Sequence, residues 1–357
     1  MKKRCLHVFS TFDIGGPQVR FANMVNHLPR DIEHLVIAMD GQYQAKEKLY
    51  SSANVTFPDF SYEKSRNLLS KIKLFKAFLD NIKPDFLITY NWGTIEWAMT
   101  VLLKPHVKHL HFEEGFGPEE QTEQLPRRVW TRRIVLPWKA RVIVPSETLR
   151  NIALNLWKLP PKQVKYLANG IDLPINNEPL KLQQDDTCPL IIGTLARLRK
   201  EKNIKKMLQA ISSISIPVKL KIGGSGDQEA DLQAYVKRHQ LEKKVEFCGQ
   251  QDDPHAFMRT IDLFCLSSDT EQMPLSVLEA MANNLVVVAT DVGDVKNMVT
   301  PSNQSYIKGI SVEDLKENLN LAISQRDSWP DIGQKNAEKV KSKYSVESMN
   351  EKFLAML

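Results

Sequence analysis

Short aliphatic and β-branched runs alternate with longer amphipathic stretches along most of the chain. Near the start, "CLHVFSTF" reads as a strand and "QVRFANMVNHL" as the helix that follows it. "HLVIAMD" and "DFLITY" are the next strands, with a helix from about Asn67 to Asn81 between them. In that helix Leu68, Ile72, Phe75 and Leu79 recur at helical spacing as the stripe to be buried. "VKHLHF" and "ARVIVPS" follow as strands. The pattern lapses at "DLPINNEPLKLQQDDTC", a polar stretch with two prolines, and then restarts. "PLIIGTLA", "VKLKIGG", "KVEFCG", "DLFCLSS" and "LVVVATD" read as strands; "SVEDLKENLNLAISQ" and "PDIGQKNAEKVKSKYSVESMNEKFLAML" read as helices.

Strand–helix alternation of this kind predicts an α/β protein with doubly wound parallel sheets, helices on both faces. The lapse divides it into a Rossmann-like domain over residues 1–172, a linker over 173–188 and a second Rossmann-like domain over 189–340. Residues 341–357 form a last helix, expected to pack back on the first domain. Ligands of such sheets bind beyond the carboxyl ends of the strands, so two domains facing each other would make a cleft.

A length of 357 residues fits two cores better than one. The 25% charged and 42% hydrophobic residues are an ordinary globular mix. A net charge of +6 suits acidic small ligands or an anionic surface and argues little for nucleic acid, which is not expected as a partner. Cys5, Cys188, Cys248 and Cys265 form no C-x-x-C pair or zinc pattern, which fits a reducing compartment; Cys248 and Cys265 lie in apolar runs and read as core. "MKKRCLHVFSTFDIGG" has too short an apolar run for a signal peptide, and no stretch approaches the ~20 apolar residues that span a bilayer. The expected location is the cytoplasm.

The chemistry concentrates in "SSDTEQMPLSVLEAMANN", where Glu271 and Glu279 have seven residues between them. Pro274 suits the first turn of a helix, with Leu275, Leu278, Met281 and Ala282 on its apolar face and Asn283 and Asn284 as terminators. Amides near Leu275 and Ser276 then stay free to meet an anion. Glu271 precedes that helix and Glu279 lies about a turn inside it. Carboxylates suit paired sugar hydroxyls because they only accept hydrogen bonds. The alternative is that both are helix-dipole partners or face solvent. In "GTLARLRKEKNIKKML", Arg197 offers a bidentate fork and Lys202 a point charge, a pair suited to a diphosphate. The alternative there is a solvated basic loop, since Lys200, Lys205 and Lys206 are close by. Gly223, Gly224 and Gly226 make a tight turn that lacks the third glycine of G-x-G-x-x-G, and Gly15 and Gly16 make another before "PQVRFANMV". D-x-D, H-E-x-x-H, G-x-S-x-G and the P-loop are absent from the sequence. No metal site and no cofactor is expected, so fixed cations and helix amides would have to hold a diphosphate.

Taken together, "TEQMPLSVLEAMANNLVVVATDVGDV", "ARL…EKN", "IGGSGD" and "NGIDL" resemble, in order and spacing, the GT-B glycosyltransferases of family 4 (glycosyl transferases group 1), which retain the anomeric configuration. "GGPQ" at Gly15 is similar to the amino-terminal glycine turn of that family. The resemblance covers nearly the whole chain and is most specific between Ile191 and Val299. It implies a hexosyltransferase whose substrate is a UDP- or GDP-linked sugar. Glu271, Arg197 and Lys202 would be catalytic, Glu271 holding sugar hydroxyls and the two cations neutralising the diphosphate. Glu279 would hold the ribose. Met273, Leu275 and Ser276 would offer backbone amides. Gly223 and Gly224 would lie on the donor side, Phe247 near the base, and Gly16 would let the first domain close on the diphosphate. Three positions depart from the pattern: "EQMP" replaces "EGFG", Gly293-Asp294 replaces a glycine pair, and Glu113 stands where a histidine is usual. Glu113, Glu114 and His111, with Asn91 and Trp92 of "YNWGTIEW", are the acceptor-side candidates. The competing readings are a charged loop cap for the glutamates and plain packing for "YNWGTIEW".

The acceptor would be a saccharide or lipid-linked saccharide, in polysaccharide or glycolipid assembly. Residues 125–141, "LPRRVWTRRIVLPWKAR", carry six basic residues and no acid, with Trp130 and Trp138 among them. Arg128 and Arg132 share one helical face and Trp130 and Ile134 another, a pattern suited to anionic lipid on the inner face of the cell membrane, or to a solvated basic surface. Two other functions remain: a different GT-B activity such as a nucleotide-sugar epimerase or hydrolase, and a non-catalytic nucleotide-sugar-binding scaffold.

Overall fold

The computed structural model describes residues 3–61, 67–104, 106–116, 118–120, 123–175 and 188–357. Residues 176–187 of the expected linker lie outside these. Two compact units result: Met1–Gly170 together with Val346–Leu357, and Ile171–Ser345.

The first unit runs β1 (Lys3–Phe9), α1 (Gly16–Asn26), β2 (Ile32–Ala38), β3 (Val55–Thr56), α2 (Leu68–Ile82), β4 (Phe86–Tyr90), α3 (Ile95–Val101), β5 (Lys108–Phe112), α4 (Pro126–Val135), β6 (Ala140–Val144), α5 (Glu147–Asn155) and β7 (Val164–Tyr166). All its strand pairs are parallel, in the order β3-β2-β1-β4-β5-β6-β7. The second unit runs β8 (Leu190–Leu195), α6 (Ile204–Ser212), β9 (Val218–Gly223), α7 (Glu229–Arg238), β10 (Val245–Gly249), α8 (Pro254–Met258), β11 (Leu263–Leu266), α9 (Leu275–Ala282), β12 (Val286–Ala289), α10 (Val295–Met298), α11 (Val312–Ser324) and α12 (Trp329–Lys343). Its sheet is also parallel, in the order β10-β9-β8-β11-β12. The strand order reverses between β1 and β4 in one unit and between β8 and β11 in the other. Those two places are the topological switch points at which such sheets bind ligands.

The strands are nearly continuous apolar runs because helices cover both faces. In β1, Cys5 and Phe9 enter one core with Phe21, while Leu6 and Val8 enter another with Phe75 and Trp97. Helix α2 starts where Asn67 accepts a hydrogen bond from the Ser70 amide at 2.9 Å and ends where Lys83 turns left-handed. Phe75 and Leu79 of its apolar stripe are buried, but Leu68 at its first turn is 45% exposed. Cys265 is buried as expected; Cys248 is half-buried, because its strand β10 is the sheet edge.

The stretch from Pro330 to Leu357 is two helices, interrupted at Tyr344 and Ser345. The second, α13 (Val346–Leu354), belongs to the first unit. Val346, Met349 and Phe353 enter the core that holds Phe9 and Phe112, and Asn350 Nδ2 donates to Met24 O at 3.0 Å. Just before the chain leaves the second unit, Ser345 forms a parallel bridge with Ile171, the first residue of that unit.

Candidate functional site

In the second unit the loops after β8 and β11 flank the switch point. After β8 the chain reaches a single 3-10 turn, Lys200–Lys202. Asn203 then turns left-handed at φ 41° and caps α6 by accepting from the Lys206 amide at 3.2 Å. The loop after β11 is stitched to this turn by the Asp269 amide donating to Glu201 O (2.8 Å) and Ser267 Oγ to Lys202 O (2.9 Å). Thr290 Oγ1, just beyond β12, donates to Ser268 O at 2.6 Å. The stitching sets Lys202 Nζ 2.5 Å from Glu271 Oε1, and Ser268 Oγ donates to the same oxygen at 2.7 Å. Both partners keep some exposure, 23% for the Lys202 side chain and 10% for Glu271, so a ligand can reach them.

Lys206 is not part of a solvated basic loop. It is 6% exposed and its Nζ lies 2.7 Å from Asp269 Oδ1, whereas Lys200 and Lys205 are exposed. Gly293 backs the Glu271 loop at φ +55°; a Cβ there would stand 2.4 Å from Glu271 O. Asp294 donates its amide to Gln272 O at 2.9 Å.

Helix α9 begins at Leu275 with Pro274 as its extended N-cap at ψ 127°, one residue earlier than a first-turn proline. Pro274 has no side-chain donor or acceptor, so no side-chain cap closes the first turn, which leaves the Leu275 and Ser276 amides for another acceptor. Met273 is buried; Leu275 and Ser276 are half-buried. The helix ends at Asn283, and Asn284 takes φ 60°.

Glu279 is half-buried on α9, and desolvation pushes its carboxyl up to about 7. Among the described residues, no side chain or amide donates to its carboxyl oxygens; Asn283 Nδ2 donates to its backbone carbonyl at 2.7 Å. Its proton is held more tightly in the folded chain, so this group costs stability as pH rises from the ordinary carboxylate range through 7. Glu279→Gln is therefore expected to be more stable than the parent by up to about 3 kcal/mol at pH 8, with the gap narrowing towards pH 5. Melting curves across that range check it.

Arg197 stands exposed two residues past β8. Phe247 is half-buried on β10 and packs against the unit's core. Close packing and, at Gly224, the backbone conformation both require glycine in this turn. A Cβ on Gly224, at φ +116°, would lie 1.9 Å from Ala196 O; one on Gly226 would lie 2.3 Å from Leu198 O; one on Gly223 would lie 2.8 Å from Leu195 Cδ1. Gly16 differs: it starts α1 and a Cβ there meets nothing within 4 Å. Gly224→Ala is expected to cost at least about 2 kcal/mol, and Gly16→Ala to stay within about 1 kcal/mol of the parent. Chemical denaturation of the two variants measures both.

In the first unit, residues at the ends of β4 and β5 lie in a buried charge network. Glu113 is fully buried; its Oε2 is 3.0 Å from Arg132 Nε and 3.6 Å from His111 Nε2, the latter too long for a hydrogen bond. Burial works hardest against the charge, but the Arg132 guanidinium and His111 together outweigh it and hold the Glu113 carboxyl below the usual range. Arg132 also reaches Glu120 at 3.4 Å, and Arg128 Nη1 lies 2.9 Å from Glu120 Oε2. Arg132 sits 4.7 Å from the Trp157 ring centroid and 5.4 Å from that of Trp92. Glu114 pairs with Arg20, and burial nevertheless raises its carboxyl. His111 is fully buried with Nδ1 2.8 Å from Thr89 Oγ1. Asn91, at φ 56° and ψ −177°, accepts from the Glu114 amide at 2.7 Å.

Two expectations change here. Within this unit His111, Glu113 and Glu114 are enclosed rather than presented to an acceptor, because each is tied to a neighbour in the interior. Arg128 and Arg132 turn inward to acids and offer no face to lipid. Arg20 and Glu120 escaped the sequence reading. The one signal was Glu119 and Glu120 preceding the basic run, which makes internal pairing the economical outcome for two of its arginines.

Comparison with known proteins agrees with this fold. The family description Glycosyl transferases group 1 matches residues 178–340, and Glycosyltransferase Family 4 matches residues 14–174. An uncharacterized glycosyltransferase of Haemophilus influenzae is 23% identical over 368 residues, covering 100% of both chains. The Campylobacter jejuni N-acetylgalactosamine-N,N'-diacetylbacillosaminyl-diphospho-undecaprenol 4-alpha-N-acetylgalactosaminyltransferase is 30% identical over 155 residues, 43% of this chain and 42% of its own. The crystal structure of Anabaena Alr3699/HepE in complex with UDP and glucose aligns over 99% of both chains with a TM-score of 0.80 and 16% identity.

Proposed function

The chain belongs to the group 1, family 4 glycosyltransferases, and on that premise we propose that it is a metal-independent, retaining hexosyltransferase using a UDP- or GDP-linked sugar. The acceptor is a hydroxyl of a saccharide or lipid-linked saccharide, and the enzyme works in the cytoplasm at the inner face of the cell membrane. The observation that carries this is the Lys202–Glu271–Ser268 cluster at the switch point. A cation and a carboxylate in contact, beside a helix start with no side-chain cap, match what a sugar diphosphate presents: hydroxyls on one side and two phosphates on the other. Glu271 accepts from the sugar hydroxyls. Lys202, Arg197 and the Leu275 and Ser276 amides stabilise charge on the departing diphosphate, whose oxygen takes the acceptor's proton during front-face attack. Glu279 accepts from the ribose diol. No enzyme nucleophile takes part.

The test begins with melting curves in UDP, GDP, ADP and their common sugars. A specific ligand at a hundredfold excess over its Kd stabilises by about 2.7 kcal/mol. The donor so found is then turned over with and without an acceptor, with EDTA present, and the anomeric configuration of the product is read by NMR. Transfer with retention is expected. Donor consumption that ignores the acceptor would mean an epimerase or hydrolase, and tight binding without turnover would mean a scaffold.

A further inference from the structure

We infer that the outer face of α4 and the turn after it form a docking surface for an anionic lipid bilayer, with Trp130, Ile134 and Trp138 as the inserting residues. Helix α4 runs into a 3-10 turn at Leu136–Trp138, and the two together have two unlike faces. Val129, Arg132, Val135 and Leu136 are buried, the apolar three in one cluster with Ile95 and Trp157. Trp130, Ile134 and Trp138 recur every four residues and are 59%, 61% and 73% exposed. Large side chains at that spacing on one helical segment form a continuous stripe.

The stripe has a cationic border. Arg133 donates twice to Leu156 O, at 2.8 and 2.6 Å, which holds its guanidinium 5.0 Å from the Trp130 ring centroid. Lys139 Nζ donates to Lys104 O at 3.2 Å, bringing the end of α3 with its 56%-exposed Leu103 next to the Trp138 end. Arg127 is exposed, and no acid occurs anywhere from 125 to 141. Tryptophan favours the headgroup level of a bilayer, where one edge is apolar and the other wet, and the cations match anionic headgroups. A second copy of the chain is a poorer occupant. In a two-fold contact it would bring one cationic border, with no acid from 125 to 141, against another. The two arginines turned inward sharpen the assignment: the lipid side is the tryptophan face, not the face of Arg128 and Arg132.

The use of this surface rests on the proposed transfer to a lipid-linked acceptor, but its binding can be measured with neither donor nor acceptor present. The experiment is flotation of the full chain with vesicles of phosphatidylcholine alone or mixed with phosphatidylglycerol. Binding to the mixed vesicles only is expected, weakening as salt rises. Trp130→Ala/Trp138→Ala should lower the partition constant about tenfold or more, and Lys139→Glu about fivefold or more. Both tryptophans are exposed, so the melting midpoint of the double variant should stay at the parent's value. Three results would overturn the inference: no binding by the parent, equal binding to neutral vesicles, or a double variant that floats as the parent does. A parent dimer in sedimentation that the double variant disperses, without vesicle binding, would overturn it in favour of self-association.

Discussion

Lys202→Ala lowers kcat by about 10²–10³-fold while leaving the protein folded: that is the first expected result. The rate effect follows from removing one fixed positive group from a site where negative charge grows on a leaving diphosphate; deletions of that kind cost about 2.7–4 kcal/mol of transition-state stabilisation. The fold is much less sensitive. Lys202 and Glu271 are partly exposed, Ser268 still donates to Glu271, and water can replace the lost ammonium. A partly exposed pair of this kind contributes at most about 1 kcal/mol. Glu271→Gln should be similarly slow, and the double variant less slow than the product of the two, because the residues touch and act on one ligand. Steady-state kinetics with denaturation of the same samples separates the readings. A pair that serves only to hold two loops together would lose stability and keep its turnover, and that outcome would remove the site assignment.

The second expected result concerns stability. Arg132→Ala should cost about 3–5 kcal/mol, because the buried guanidinium is the cation beside the buried Glu113 carboxylate, while Glu120 keeps Arg128. The pH dependence has a definite sign. With Arg132 present, the Glu113 carboxyl is held low, so its contribution is present above the ordinary carboxylate range and is lost as pH falls through its depressed value. Without Arg132, burial, the largest influence, is opposed only by His111, and the carboxyl titrates higher than in the parent. The variant's deficit should then be largest at neutral pH and shrink as acid protonates Glu113. Adding Glu113→Gln to Arg132→Ala should recover part of the loss at pH 8. Urea midpoints of the parent, single and double variants at pH 5 and pH 8 measure all of this.

Much of the fold was legible because parallel strands buried on both faces write themselves as apolar runs. In the second unit β8, β11 and β12 stood out in this way, while β9 and β10 carry charged residues between their apolar ones. Val55–Thr56 and Val164–Tyr166, at the two edges of the first sheet, are too short to leave a pattern. The break at Tyr344 and Ser345 was hidden because the residues on either side share a helical composition. At the site, Glu271 and Lys202 were visible as charged residues after apolar strands, and the structure puts them in contact. The stitching residues Ser267, Ser268 and Thr290 were not, since a hydroxyl beyond a strand says nothing about which carbonyl it will meet. Arg128 and Arg132 were misread for a related reason: helical spacing tells which residues share a face but not whether acids wait beneath it. The glycine turn at 223–226 shows the reverse, a motif whose packing role needed coordinates to be seen.

Because helix α13 fills the core of the unit that begins at β1, ribosomal synthesis cannot finish that unit in order. At about 5–20 residues per second, Ile171–Ser345 occupy the ribosome for roughly 10–35 seconds before Val346, Met349 and Phe353 emerge. During that interval the nascent first half carries an open apolar socket beside Phe9 and Phe112, a transient client for a chaperone, while the inserted half is already free to fold.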